Sequence, residues 1–156
     1  MTPMLDLWQD HLIKTTPFDQ ECRALADRHY SRRTIGAKQF AYSGRKLVLR
    51  NAMGTVLFVW MYPDESMRMD GQTGYNNALF RNESDRLSSE IILEAEQMAF
   101  EKWGPNRLYT YIDAEKTAKH RGRRHEPGYC FLMAGWHFER LSKGGKHLLV
   151  KDLPVP

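Results

Sequence analysis

At 156 residues the chain has the length of one domain with a single core. Its 42% hydrophobic and 27% charged content argues against a disordered chain, and no apolar run approaches the roughly 20 residues that span a bilayer. The net charge of +4 and pI of about 9.1 fit a polyanionic partner without requiring one.

Residues 1–16 read as an N-terminal extension, broken at Pro3 and at Thr15-Thr16-Pro17, ahead of a domain over 17–156. The opening residues carry acids and no basic n-region, so no signal peptide and a cytoplasmic location are expected. Cys22 and Cys130 make neither a disulfide framework nor a zinc site, which agrees with a reducing compartment. From Pro17 onward a helix is predicted, with Phe18, Cys22, Leu25 and Ala26 on one face. A polar and basic loop follows over Ser31–Gly36. KLVLRN and TVLFVWMY are β-branched apolar runs joined by Ala52-Met53-Gly54, which predicts a hairpin ended by Pro63. A turn-rich excursion over 64–74 leads to a strand at Tyr75–Phe80.

The strongest helix is predicted over Leu87–Trp103, with Ile91, Ile92, Ala95, Met98 and Ala99 on one side and Gly104-Pro105 as its stop. Ser88 or Ser89 is expected to cap it, and Glu90 and Glu94 suit its positive end. RLYTYID alternates as a strand, placing Tyr109, Tyr111 and Asp113 on one face. A short helix over Gly128–Ala134 and a terminal hairpin hinged at Gly144-Gly145 complete the chain. The expected class is α+β, a mixed, mostly antiparallel sheet flanked by helices. Exposed edges of such a sheet admit a homodimer.

Four clusters can carry chemistry. Arg28-His29-Tyr30-Ser31-Arg32-Arg33 packs an imidazole, a phenol, a hydroxyl and arginines at a helix end. An imidazole titrates near neutrality and can exchange a proton, and arginines can grip phosphates; the blander reading is a helix C-terminus favouring cations. Arg81-Asn82-Glu83 and Ser88-Ser89-Glu90 sit between strand and helix, where α/β sheets place ligands. Arg81 is a candidate anion binder, and Glu83 or Glu90 a candidate base or metal ligand. Asp113, at a strand end, is either a turn cap or a catalytic acid. Tyr109 and Tyr111 are either core or a base-stacking platform. Lys116, Lys119, Arg121, Arg123 and Arg124 crowd a stretch without acids, the footprint of a polyanion or a solvated loop.

His29-Tyr30-Ser31 with Arg32-Arg33, Phe80–Glu83 (FRNE), Leu87–Glu90 (LSSE), Tyr109–Asp113 and Gly128–Trp136 (GYCFLMAGW) occur in an order that resembles the Mom-like branch of the GNAT acyltransferase superfamily. The resemblance spans roughly residues 18–152. It implies a GNAT-like domain and a bacteriophage DNA-modifying transferase that converts adenine to an N6-carbamoylmethyl form and so protects DNA from restriction. It further implies that His29, Tyr30, Ser31, Ser89 and Asp113 are catalytic. Arg81, Asn82, Glu83, Ser88, Glu90, Tyr109, Tyr111 and Tyr129 would bind substrate or cofactor. Arg32, Arg33 and the basic loop would hold double-stranded DNA.

GNAT folds seat a pyrophosphate on a glycine-bearing turn, and Arg81–Glu90 contains no glycine. Ordinary acetyl-CoA use is therefore doubtful, and a glycine-derived or other acyl-type donor, or an iron ion, becomes an option. The alternatives are a conventional acetyl-CoA-dependent N-acetyltransferase acting on a small amine or protein, and a non-enzymatic nucleic-acid-binding phage protein.

Overall fold

A computed structural model describes residues 11–29, 35, 44–62, 71–116 and 127–152. Within them lies one mixed seven-stranded sheet in the order β1-β2-β3-β4-β5-β7-β6. The strands are β1 (Leu12–Thr15), β2 (Arg45–Asn51), β3 (Val56–Tyr62), β4 (Tyr75–Asn82), β5 (Leu108–Ile112), β6 (His137–Leu141) and β7 (His147–Lys151). The helices are α1 (Gln20–Asp27), α2 (Ser88–Trp103) and α3 (Tyr129–Met133). None of the described helices is long and apolar enough to cross a membrane.

Alternation along the strands divides the core between the two faces. Leu47, Leu49, Phe58, Trp60, Leu108, Ile112 and Leu149 pack under α2 and α3 with Ile91, Ile92, Ala95, Ala99, Phe131 and Trp136. On the other face, Val48, Leu57, Val59, Met61 and Leu79 meet Cys22, Leu25 and Ala26 of α1. Tyr109, Leu148 and Val150 form a separate cluster on that second face. The predicted helix faces hold, with one correction: Phe18 precedes α1 and is exposed.

A second correction concerns the expected extension. Leu12–Thr15 is a strand, antiparallel to β2 with Leu12 opposite Asn51, and Leu12 is buried. The Leu12 N–H donates to Glu94, which also accepts from His11 and Arg86. Glu94 therefore ties an edge strand to α2, beyond any role at the helix dipole.

Asp19 caps α1, accepting from the N–H groups of Glu21 and Cys22 and from Thr15 Oγ1, while Arg50 of β2 donates to both its oxygens. Burial acts to raise this carboxyl, but the hydrogen bonds and the Arg50 charge outweigh it and bring it down to about 2. Cys22, beneath it, is pushed up to about 12 by burial and the Asp19 charge, so it is an inert core thiol.

One pair of neighbouring strands is parallel. β4 and β5 are joined through the α2 crossover and pair only at Tyr75–Leu108, Asn76–Tyr109 and Asn77–Thr110. Gly74 opens this pairing at φ +107, where a Cβ would collide with the Arg107 carbonyl that accepts from Tyr75 N–H. Immediately beyond the last pair, β4 carries a bulge. Leu79 stands opposite Val59 and Asn77 opposite Trp60, leaving Ala78 as the extra residue.

The buried Asn77 amide donates to the carbonyls of Val59 (3.2 Å) and Leu79 (3.0 Å). The Thr110 hydroxyl donates to the Asn77 carbonyl at 2.9 Å. Asn77→Ala strips both carbonyls of a donor in a dry environment, and should destabilise the fold by about 1–3 kcal/mol in denaturant titration. A loss below about 0.5 kcal/mol would mean that the amide does not hold the junction.

Candidate functional site: the open end of β4 and β5

Past Asn77 and Thr110 the parallel strands no longer pair, although β4 runs on to Asn82 and β5 to Ile112. β3 and β7 still hold their outer edges. The result is an opening at the C-terminal ends of two parallel strands, the position at which α/β sheets receive ligands. α2 and α3 border it on one face and the end of α1 on the other.

The turn from β4 into α2 is built on Asn82. Its Nδ2 donates to the Arg86 carbonyl (2.8 Å) and to Ser88 Oγ (2.9 Å). Its Oδ1 accepts from Ser84 N–H (2.9 Å) and Ser84 Oγ (2.6 Å). Both ends of the amide are engaged, so Asn82 shapes the turn and is not available as the expected ligand-binding group. No described residue other than glycine has positive φ, so this backbone needs no glycine.

The expectation that a serine caps α2 fails. The helix begins at Ser88, so the N-cap position falls to Leu87, whose side chain has no acceptor, and Ser88 Oγ instead accepts from Asn82 Nδ2. Ser89 lies half-buried in the first turn beside the exposed Glu90.

On the opposite face, Arg81 Nη1 donates to the Arg28 carbonyl at 2.9 Å, fastening the end of α1 to the end of β4. Glu83 receives Arg28 Nε (2.8 Å), Arg28 Nη2 (3.0 Å) and Arg81 Nε (2.7 Å). The Arg28 hydrogen bonds, outweighing burial and helped by those of Arg81, hold this carboxyl down at about 2. Such a group accepts almost no protons at neutral pH, which removes Glu83 as a base. His29 follows directly, its N–H bonded to the Ala26 carbonyl.

Near the start of β5, within the paired part of the junction, Tyr109 is 1% exposed and meets Tyr111 edge-on at 6.0 Å. Tyr109 is core and cannot serve as a stacking platform, whereas Tyr111 is half-buried. Asp113 caps the helical turn over residues 114–116, its Oδ1 accepting from Lys116 N–H at 3.0 Å. Tyr129, at the start of α3, is 42% exposed. Two residues on, Phe131 packs edge-on against Phe80 of β4 at 6.1 Å.

The fold thus brings His29, Arg81, Glu83, Tyr111 and Asp113 to one end of the sheet on one face, with Asn82, Ser88, Ser89 and Tyr129 across the opening. Tyr30, Ser31, Arg32, Arg33, Lys119, Arg121, Arg123 and Arg124 lie outside the described residues. Among the described residues no group of three or more His, Cys, Asp or Glu is placed to hold a metal ion.

Arg28 emerges as the unexpected partner at this site; the sequence shows it only as one cation among several. Glu96 was also missed. It is 5% exposed and accepts from Trp136 Nε1 (3.0 Å) and Lys151 Nζ (2.8 Å), joining α2 to the α3–β6 step and to β7. Its i+4 relation to the buried Ile92 was the available signal. No protein-family model, curated protein or solved structure matches this chain.

Asp19 and Glu83 both lie below their ordinary values of 3.8 and 4.5. Their contribution to stability is therefore complete above the ordinary values and is lost as pH falls through the folded ones. The melting temperature should be insensitive to these groups above roughly pH 5 and fall between there and pH 2. Asp19→Asn should lower the plateau and flatten part of the descent. An identical profile in the variant would refute the assignment.

Proposed function

We propose that this chain is an acyltransferase-like group-transfer enzyme that modifies adenine in duplex DNA at the open end of β4 and β5. An N6-carbamoylmethyl-type product would shield the DNA from restriction. The observation that carries this reading is the single parallel junction in an otherwise antiparallel sheet. It gathers the His29, Arg81–Glu83 and Tyr109–Asp113 segments at one end. The GNAT-like likeness of the sequence fits that arrangement. Lys116 and Arg28 lie at the same end, and each starts or borders a basic stretch of the sequence, as a polyanion requires.

The exocyclic N6 of adenine is a poor nucleophile because its lone pair is delocalised into the ring, and inside the duplex it is out of reach. The base is extruded at a cost of a few kcal/mol, offset by phosphate contacts. N6 attacks the carbon of the donor's transferable group, the bond to the leaving group breaks, and one N6 proton passes to a base. The His29 imidazole is suited to that proton, because an imidazole titrates near neutrality. Tyr129, 42% exposed, suits the extruded base, with the half-buried Tyr111 as the other candidate.

One observation favours a second reading, an acyl-CoA donor with a small amine or protein acceptor. α2 starts without a side-chain cap, beside a turn that needs no glycine, so an anion can meet its first N–H groups even though Arg81–Glu90 contains none. The donor would then rest on the N–H groups of the first turn and supply the activated acyl carbon.

Nucleosides from plasmid DNA of cells expressing the chain should contain a new adenosine-derived mass. His29→Ala should reduce it by about 100-fold or more. Unmodified DNA, together with a melting temperature raised by acetyl-CoA, would reject the first reading for the second. Salt-sensitive DNA binding with neither result would leave a binding protein without transferase activity.

A further inference from the structure

The three N–H donors that converge on Glu83 come from two separate elements. Arg28, at the end of α1, offers its Nε and Nη2 to the two carboxylate oxygens, and Arg81 of β4 adds its Nε to one of them. This is a fork built for a planar or tetrahedral oxyanion. The position of Arg81 does not depend on the acid, because its Nη1 is bonded to the Arg28 carbonyl. The fastening of α1 to β4 therefore survives without Glu83.

The Glu83 backbone is separately held, its N–H donating to the Thr55 carbonyl at 2.7 Å. The side chain can swing away without disturbing β4. Arg28 is half exposed and Glu83 30% exposed, so the pair is reached from solvent. Exposed pairs of this kind are worth about 1 kcal/mol or less, whereas a phosphate presents more oxygens to the same donors. The fork also lies on the His29 side of the opening, beside the position assigned to the reacting base.

We propose that the Arg28–Arg81 fork is a phosphodiester seat for nucleic acid, occupied in the free chain by the Glu83 carboxylate as a stand-in that the backbone phosphate displaces. The choice of nucleic acid as the ligand rests on the reading above; the seat itself rests on the converging donors. Asp27, which also acts on Arg28, is the other nearby acid and stays in place when Glu83 leaves.

The test is fluorescence anisotropy with a short DNA duplex at fixed salt. Glu83→Gln removes the competing charge and should bind about five- to tenfold more tightly than the unaltered chain. Glu101→Gln, at the far end of α2, removes the same charge from a remote place and should change affinity less than about twofold. Adding Arg28→Lys to Glu83→Gln keeps the charge but abolishes the fork, and should cancel most of the gain.

Equal gains from Glu83→Gln and Glu101→Gln, or a gain that persists with Arg28→Lys, would overturn the proposal. So would a gain seen with ADP but not with the duplex, which would assign the fork to a cofactor pyrophosphate. The two readings fail separately. Unmodified DNA with the Glu83→Gln gain intact would reject the transferase and keep the seat, and modified DNA without that gain would reject the seat alone.

Discussion

The buried Asn77 amide, held against the Thr110 hydroxyl where β4 and β5 cease to pair, is the constraint on which the site depends. An antiparallel sheet that admits one parallel pair must carry a crossover, here α2, and must bring two strand ends out on the same side. The Ala78 bulge then turns β4 away from β5. A bulge leaves ladder carbonyls unpaired, and in a core with Val59 and Tyr109 essentially buried such groups are expensive. The Asn77 side chain supplies the missing donors. The opening thus exists because one polar residue satisfies the backbone groups that the irregularity releases.

A second polar side chain does comparable work at the top of the same strand. Glycine-bearing turns bring N–H groups toward an anion by adopting backbone angles closed to other residues. The turn between β4 and α2 stays in ordinary backbone regions and is shaped by Asn82, which binds Ser84, Arg86 and Ser88 together. The N-cap position is Leu87, which offers no side-chain acceptor to the first turn of α2. The lack of glycine in Arg81–Glu90 is therefore weaker evidence against a phosphate-bearing donor than the sequence suggests.

Periodicity made most of the elements legible. The apolar runs of β2 and β3, the long stripe of α2 and the strict alternation of Leu108–Ile112 each contain enough residues to reveal their period. Leu12–Thr15 does not. Four residues with a lysine and an exposed isoleucine are too short and mixed to signal a strand, which forms because β2 offers an edge and Glu94 a partner. The bulge is equally silent, since nothing local distinguishes Ala78 from a paired residue. The clustering of charged residues at the strand ends was visible, but their pairings were not. Glu83 meets Arg28 across 55 positions, and Trp136 meets Glu96 across 40. Contacts over such separations follow from topology, which residue type does not encode. Tyr109 and Asp113 show the same limit: the sequence left core against platform and cap against acid open, burial makes Tyr109 core, and the Lys116 N–H shows Asp113 as a cap.

The allocation of charge at the open end narrows what chemistry it can host. A base must be able to take up a proton near neutrality, and two carboxylates there serve as structural ties. Glu83 is bound by two guanidiniums, and Asp113 caps a turn. The guanidiniums make Glu83 a poorer proton acceptor. In the proposed reading the proton passes to His29, which directly follows the end of α1, because an imidazole titrates near neutrality. The arginines gain a different capacity from the same arrangement. Bound to a carboxylate at the rim, they stay in a fixed fork instead of repelling one another, and the positive charge is preorganised before any anion arrives. In the proposed reading, proton transfer and anion capture fall to neighbouring side chains, the His29 imidazole and the Arg28–Arg81 fork.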